Sequence, residues 1–345
     1  MGVPSFARNG MLRWLLGSVV ICFAIGGIYL HSWAAVSDGA EPADARESES
    51  SEPIQPIQAQ LTHLDARKIA LGKQLFSDPR LSDNNLVSCA TCHDLATGGS
   101  DRKARSVGIH GALGVINAPT VLNSGFNFSQ FWDGRAETLE KQVDGPIQSK
   151  IEMGSTWPEV IDKLRGSRDY ARAFREIYDQ GPTSGAVKDS IAEFERSLTT
   201  PNSRFDRFLR HDTSALTSEE LEGYRLFKSF GCASCHQGVG VGGNMYQKMG
   251  VMVPYFADSA HVTAADRGRF NVTGDPRDLY MFKVPSLRNV EMTPPYFHDG
   301  SAATLPDAVR TMGKYQLGHP LAQHEVESIV AFLKTLTGEL NGKPL

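Results

Sequence analysis

Cys89-Ala-Thr-Cys92-His93 and Cys232-Ala-Ser-Cys235-His236 are the two stretches on which the reading of this chain turns. Two thiols three positions apart can each add across one vinyl group of a single haem. The histidine that follows is then held beneath the iron as an axial ligand. The chain has five cysteines, and four of them fall in these two stretches. A Cys-x-x-Cys pair also occurs in thioredoxin-like redox sites and as half of a four-ligand zinc site. Neither requires histidine at the next position, and neither predicts it twice. The pair of motifs therefore predicts two covalently bound haem c groups, attached through Cys89, Cys92, Cys232 and Cys235, with His93 and His236 on the two irons.

The flanks of the motifs repeat as well. Ala70-Leu71-Gly72-Lys73-Gln74-Leu75-Phe76 precedes the first, and Leu221-Glu222-Gly223-Tyr224-Arg225-Leu226-Phe227 precedes the second. Both read as an amphipathic helix ending in Gly-x-x-Leu-Phe, with the phenylalanine placed to pack on a haem edge. Downstream, Ile191, Phe194 and Leu198 match Ile329, Phe332 and Leu336 in spacing, which puts each set on one helical face. Each half thus reads as helix, haem-binding turn, long loop region and closing helix. The expected fold is mainly α, with two cytochrome c-like haem domains in tandem as a duplication, residues 61–205 and 206–345.

The N-terminus differs. Arg8 and Arg13 precede an apolar run from Trp14 to Leu30, the pattern of an export signal or signal anchor. Residues 1–35 are read as an N-terminal apolar helix left in place as an anchor. Cleavage after Ser32-Trp33-Ala34 is the alternative, leaving a soluble protein. Cys22 in the run has no small residue before it, which argues against a lipoprotein site. Either route predicts the periplasm, tethered to the inner membrane if the segment stays. Residues 36–60 carry Asp38, Glu41, Asp44, Glu47, Glu49 and Glu52 among Ser and Pro, and read as a flexible acidic linker.

Composition sets the outer bounds. At 345 residues the chain suits two domains, and 41% hydrophobic content is ordinary for a globular protein. The formal charge is −4; without Arg8 and Arg13 the exported part carries −4 − 2 = −6. With no basic cluster, nucleic acid is not expected as a partner, and a basic electron carrier suits the mild acidity.

The sixth iron ligand decides between carrying electrons and reacting with a small oxidant. Met312, in Asp307-Ala-Val-Arg-Thr-Met312-Gly313, is a candidate for the second haem, with Met292 and Met281 as competitors. The first half offers Met153 alone before its closing helix. It also places His110 in the Gly-rich segment Ser106–Gly114, either as a ligand that comes and goes or as an exposed loop histidine.

Asn117-Ala-Pro-Thr-Val-Leu-Asn123, followed by Gln130-Phe-Trp132-Asp-Gly-Arg-Ala136, resembles the bacterial dihaem cytochrome c peroxidases. So do Val284-Pro-Ser-Leu-Arg-Asn-Val290, Pro295-Tyr-Phe-His298-Asp-Gly300 and the Met312 segment, and the likeness covers about residues 65–340. The resemblance implies a first haem that reacts with hydrogen peroxide and a second, ligated by His236 and Met312, that receives electrons. Trp132 matches the tryptophan that couples the haems, and Gln142 and Glu152 match the polar pair of the peroxide pocket. A carboxylate above the iron can take a proton from the near oxygen and return it to the leaving one, as base and then acid. Asn117, Thr293 and Pro295 match positions that hold a calcium ion between the domains, where hard oxygen donors suit that metal. The implied partners are hydrogen peroxide and a small cytochrome c or another periplasmic electron donor, and a homodimer is compatible with this reading. One departure stands out. Matched without gaps from Ser106 to Thr120, the family's removable distal histidine falls on Ile109, one residue before His110.

Two other functions fit the motifs. The related dihaem oxidase that matures methylamine dehydrogenase has tyrosine where Met312 stands, which weighs against it. A membrane-tethered dihaem electron carrier would have no use for a glutamate above an open iron.

Overall fold

Most of the long helices begin where the sequence offers a cap. Asp65, Thr138, Thr156, Thr183, Thr217 and Thr304 each accept a hydrogen bond from a first-turn backbone N–H. In this computed structural model Gly2 and residues 52–58, 63–257 and 261–345 are described. The apolar run Trp14–Leu30 and the linker residues 36–51 and 59–60 lie outside the described residues. Among the described residues no helix is long and apolar enough to cross a membrane.

The fold is mainly helical, as expected. In chain order come α1 (Ala66–Phe76), α2 (Cys89–Cys92), α3 (Leu139–Gln148), α4 (Trp157–Arg165), α5 (Arg168–Tyr178) and α6 (Ser184–Ser197). They are followed by α7 (Arg204–Leu209), α8 (Ser218–Ser229), α9 (Phe270–Thr273), α10 (Leu305–Tyr315) and α11 (Gln323–Lys334). Two short antiparallel ribbons complete the fold: β1 (Tyr246–Lys248) with β2 (Met281–Lys283), and β3 (Glu339–Leu340) with β4 (Lys343–Pro344).

Two helix crossings organise the core. α1 packs on α6 and α8 on α11. At each crossing a glycine lets the backbones touch: a Cβ on Gly72 would lie 1.9 Å from the carbonyl oxygen of Ser190, and one on Gly223 would lie 1.8 Å from that of Ser328. These are the glycines of the two Gly-x-x-Leu-Phe segments. The phenylalanines of these segments pack on the partner helix, Phe76 edge-on to Phe194 at 5.3 Å and Phe227 beside Phe332 at 5.1 Å. The Phe227 ring centroid also lies 6.5 Å from that of His236. Around each crossing lies a core of its own, one built on Leu75, Phe76, Ile147 and Phe174 and one on Phe205, Val326 and Phe332.

The acidic stretch before α1 departs from the expectation of a linker running to residue 60. Ile54 and Ile57 are fully buried, and Ile54 bridges to Gly238 just after the second motif. Burying each isoleucine is worth about 1.5–3 kcal/mol. Pro53 and Pro56 reduce the chain freedom that docking removes. Arg288 completes the attachment from inside. Its Nη2 donates to the Gln55 carbonyl at 2.8 Å, its Nε to Val239 O at 2.9 Å and its Nη1 to Asp206 Oδ1 at 2.7 Å. Asp206 in turn accepts from the Ile57 amide at 3.3 Å. Two isoleucines and the Arg288–Asp206 pair together make this stretch a strap.

Candidate functional site

The two Cys-x-x-Cys-His turns are built differently. Thr91 Oγ1 accepts from the Ser88 amide at 2.9 Å, which starts the single turn of α2 and leaves His93 just beyond it. The second turn follows Gly231, whose φ of 83° sends the chain into one tight turn over Cys232–Ser234. Both histidines end in the same environment. His93 Nδ1 stands 3.3 Å from Gly99 O, and His236 Nδ1 stands 3.3 Å from Val241 O. An Nδ1–H donated to a carbonyl fixes the ring and leaves Nε2 as a free lone pair for a metal. Burial pushes both rings toward the neutral form that ligation needs, His236 down to about 4.

The thiols argue against the competing readings. None of the four is in a disulfide, and burial pushes Cys89 up to about 12 and Cys232 to about 11. A thioredoxin-like pair needs an activated thiolate, the opposite direction. Among the described residues, no three His, Cys, Asp or Glu side chains converge as a zinc cage requires. Neutral thiols beside a carbonyl-oriented histidine suit covalent haem at both turns.

Trp132 lies between segments of both halves. Its indole N–H donates to Asn117 O at 2.9 Å, its own carbonyl accepts from the Lys283 amide at 2.8 Å, and its ring meets His298 edge-on at 6.3 Å. It shares an apolar cluster with Met249, Phe256, Phe282 and Met312. The adjacent Phe131 presses against α3 at Gly145, where a Cβ would lie 2.7 Å from the ring. Gln142 is half-buried one turn earlier on α3, and Glu152 sits in the turn that follows it. Burial raises the Glu152 carboxyl above its ordinary range, while a hydrogen bond from Ser149 and the charge of Arg135 pull it back. The Trp132 loop and the Gln142–Glu152 element are therefore brought side by side.

The loop carrying His110 packs on the Glu152 turn. Ile109 N–H donates to Glu152 O at 2.9 Å, and a Cβ on Gly108 would strike Ile151 O at 2.1 Å. Ile109 is buried against Gly154. His110, at φ 53°, faces outward with its side chain 69% exposed, 3.9 Å from Asp83.

Met312 is half-buried on α10 in the cluster that contains Trp132. Met292 instead packs against Gly98 in the loop behind the first motif, its carbonyl accepting from Arg102 Nε at 2.7 Å. Met281 lies within β2. Asn117, Thr293 and Pro295 come from segments that meet. Asn117 Nδ2 donates to Lys103 O at 2.8 Å, its amide donates to His298 O at 2.7 Å, and Gly300 packs against both Ala104 and Pro295. Asn117 Oδ1 and the neighbouring carbonyls are hard donors of the kind calcium takes.

Some residues that shape the site were missed in the sequence. Gly72 and Gly223 were visible as repeats but not as crossing points. The buried pair His298–Asp266, Nε2 to Oδ1 at 2.7 Å, sits beside Trp132 inside a motif read only as a signature.

Two such turns, each with a histidine held for ligation, define a protein of the c-type dihaem class. A family model for di-haem cytochrome c peroxidase matches residues 66–214. The cytochrome c551 peroxidase of Nitrosomonas europaea is 49% identical over 89% of this chain and 91% of its own length. The cytochrome c551 peroxidase of Pseudomonas aeruginosa is 42% identical over 86% and 88%. The crystal structure of a MauG-like protein associated with microbial copper homeostasis superposes with a TM-score of 0.74 at 28% identity, over 86% of this chain and 96% of that one. The chain belongs to the di-haem cytochrome c peroxidase family and is an enzyme of the cytochrome-c peroxidase type, and that family implies two haem c groups.

Proposed function

We propose that the chain reduces hydrogen peroxide to water at the first haem, with electrons entering at the second from a small cytochrome c or similar periplasmic donor. When bound, each haem would supply an iron that exchanges single electrons, and the iron of the first would take peroxide. The protein does the rest. Glu152 takes the proton from the near peroxide oxygen and returns it to the leaving one, and its burial favours the neutral carboxyl that holds the proton between the two transfers. The Gln142 amide orients the peroxide by hydrogen bonding. Trp132 provides the path between the two halves, and Met312 and His236 would hold the iron of the second haem. The halves 61–205 and 206–345 are a duplicated domain, a reading supported by the paired Gly72–Ser190 and Gly223–Ser328 crossings.

The observation that carries the reading is Glu152, a desolvated carboxyl beside the Trp132 loop with the neighbouring histidine turned outward. Glu152→Gln tests it: turnover with a reduced carrier is expected to fall about 100-fold or more, the usual scale of general acid–base catalysis, with haem content unchanged. Unaltered turnover would remove Glu152 from the mechanism. Replacing Met312 by a non-ligand is expected to abolish the high-potential couple in a redox titration.

Calcium held by Asn117, Thr293 and Pro295 would tie Trp132 to the second half, since Asn117 O already accepts from the indole. Location in the periplasm, with the N-terminal segment as tether, and assembly as a homodimer belong to the same proposal. The carrier reading predicts two haems inert to peroxide at every redox level. The oxidase reading would need another ligand than Met312.

A further inference from the structure

Lys283 ends β2, and solvent barely reaches it: the residue is 7% exposed, whereas Lys248 on the facing strand is open. It stands opposite Tyr246 in the ribbon, and its amide is the donor to Trp132 O. The same ribbon runs into the second Cys-x-x-Cys-His. Gln247 Nε2 lies 3.8 Å from Cys235 Sγ, and Gly243 N–H donates to Val284 O at 2.8 Å. A Cβ on Gly242 would touch both Pro285 O, at 2.2 Å, and His236 Nδ1, at 3.4 Å. Lys283 is thus placed on the strand that joins Trp132 to the second motif.

Its ammonium is buried as well. Among the described residues no carboxylate lies within ion-pair distance of it. Asp133 attracts it from further away, but that carboxylate already takes two bonds from Arg135 Nη1, at 3.0 and 3.1 Å. Arg269 adds positive charge nearby, lying over the Tyr246 ring at 4.0 Å and donating to Asp133 O. Burial pushes the Lys283 ammonium down to about 8. Taking an ammonium out of water costs several kcal/mol unless an anion accompanies it. Methionine would fill the same space without that cost. The holoprotein does contain further carboxylates, because each haem c carries two propionates.

We propose that Lys283 is the charge partner of a propionate of the second haem and holds that edge of the haem toward Trp132. The inference rests on the reading of the second motif as the electron-entry haem. A cation fixed beside a haem favours its reduced, less positive state. Lys283 would therefore help set the potential at which electrons enter, as well as the geometry of their path toward Trp132.

Redox titration of the holoprotein, followed by visible absorption, tests this. Lys283→Met is expected to shift the reduced-to-oxidised ratio of the second haem about tenfold toward oxidised at fixed ambient potential, ~59 mV for one electron, with both haems still attached. Lys283→Arg keeps the charge and is expected to keep the couple. An unchanged second couple in Lys283→Met, or a shift confined to the first, would overturn the proposal. Should Lys283→Met fail to accumulate, the contrast of Lys283→Gln with Lys283→Arg carries the same two outcomes. A Cys89→Ala, Cys92→Ala background, which attaches the second haem alone, marks its couple whether or not Met312 is the ligand. Failure of the lysine assignment is thereby separable from failure of the ligand reading.

Discussion

The backbone N–H of Ile109 donates to the carbonyl of Glu152 at 2.9 Å, which ties the loop bearing His110 to the turn bearing that residue's carboxyl. Ile109, not His110, turns inward, and its side chain is lodged against Gly154. Swinging His110 inward would require extracting that isoleucine, which burial alone opposes by about 1.5–3 kcal/mol.

His110→Ala is accordingly expected to leave the absorption spectrum of the fully oxidised protein unchanged. Peroxide should react with that oxidised protein without prior reduction of the second haem, in the parent and the variant alike. A six-coordinate first haem in the parent that becomes five-coordinate in His110→Ala would show the loop to be rearranged in the holoprotein.

The Glu152 carboxyl sets a pH limb. Burial raises it above 4.5, and a base must be deprotonated to accept the first proton. The rate of reaction with peroxide is expected to rise with pH through an apparent pKa above the ordinary glutamate value, then level off. Stopped-flow rates across the acid range check this, and Glu152→Gln is expected to remove the limb along with most of the rate. An acid limb unchanged in that variant would assign it to another group.

Gly72 and Gly223 should be intolerant of even one methyl. A Cβ at either would overlap a carbonyl oxygen of the facing helix, a backbone atom that cannot rotate away. Gly72→Ala and Gly223→Ala are each expected to cost about 1–3 kcal/mol or more, measured as a lowered denaturation midpoint. Comparable losses at the two sites would support the duplicated-domain reading, and a neutral effect at either would count against its crossing.

How much of this was legible in the sequence depends on what each signal encodes. The helices α1, α6, α8 and α11 were legible because apolar spacing reports which face is buried. The haem-binding turns were legible because their chemistry fixes spacing. The strap at Ile54 and Ile57 was not, since its two isoleucines are outweighed by acids, serines and prolines, and their docking depends on Arg288 far along the chain. Nor was the facing of His110, because a one-residue register decides which neighbour enters the core. That Lys283 forms no ion pair among the described residues was equally hidden: charge partners are set by tertiary placement, and sequence shows only that a lysine is present.

The Arg288–Asp206 pair is fully buried and holds the strap from beneath. Removing one member strands the other charge, which typically costs about 3–5 kcal/mol. Asp206→Ala is expected to lower the denaturation midpoint by that order and to free the Ile57 amide. Limited proteolysis should then cut near residues 52–58 while the remainder stays intact. Resistance of that segment equal to the parent would show that the isoleucines alone suffice.

Glu195 gives the last prediction. It lies on α6 at 5% exposure, and its carboxyl receives no hydrogen bond among the described residues. Burial pushes it up to about 8; the charge of Arg196, itself paired with Glu140 and Glu193, opposes this, and Glu140 adds to it. In the unfolded chain the same group titrates near 4.5. Between those values the folded state holds a proton that the unfolded state has lost, so stability falls as pH rises. The stabilising difference is fully present below about 4.5 and gone above about 8, and each pH unit crossed between the two removes about 1.4 kcal/mol. Glu195→Gln keeps the shape without the charge. It is expected to be more stable than the parent at pH 9, by an amount on the order of a few kcal/mol, and close to it at pH 4. Urea midpoints measured across that range decide the matter: parallel curves for parent and variant would mean that Glu195 is solvated or paired in the folded holoprotein.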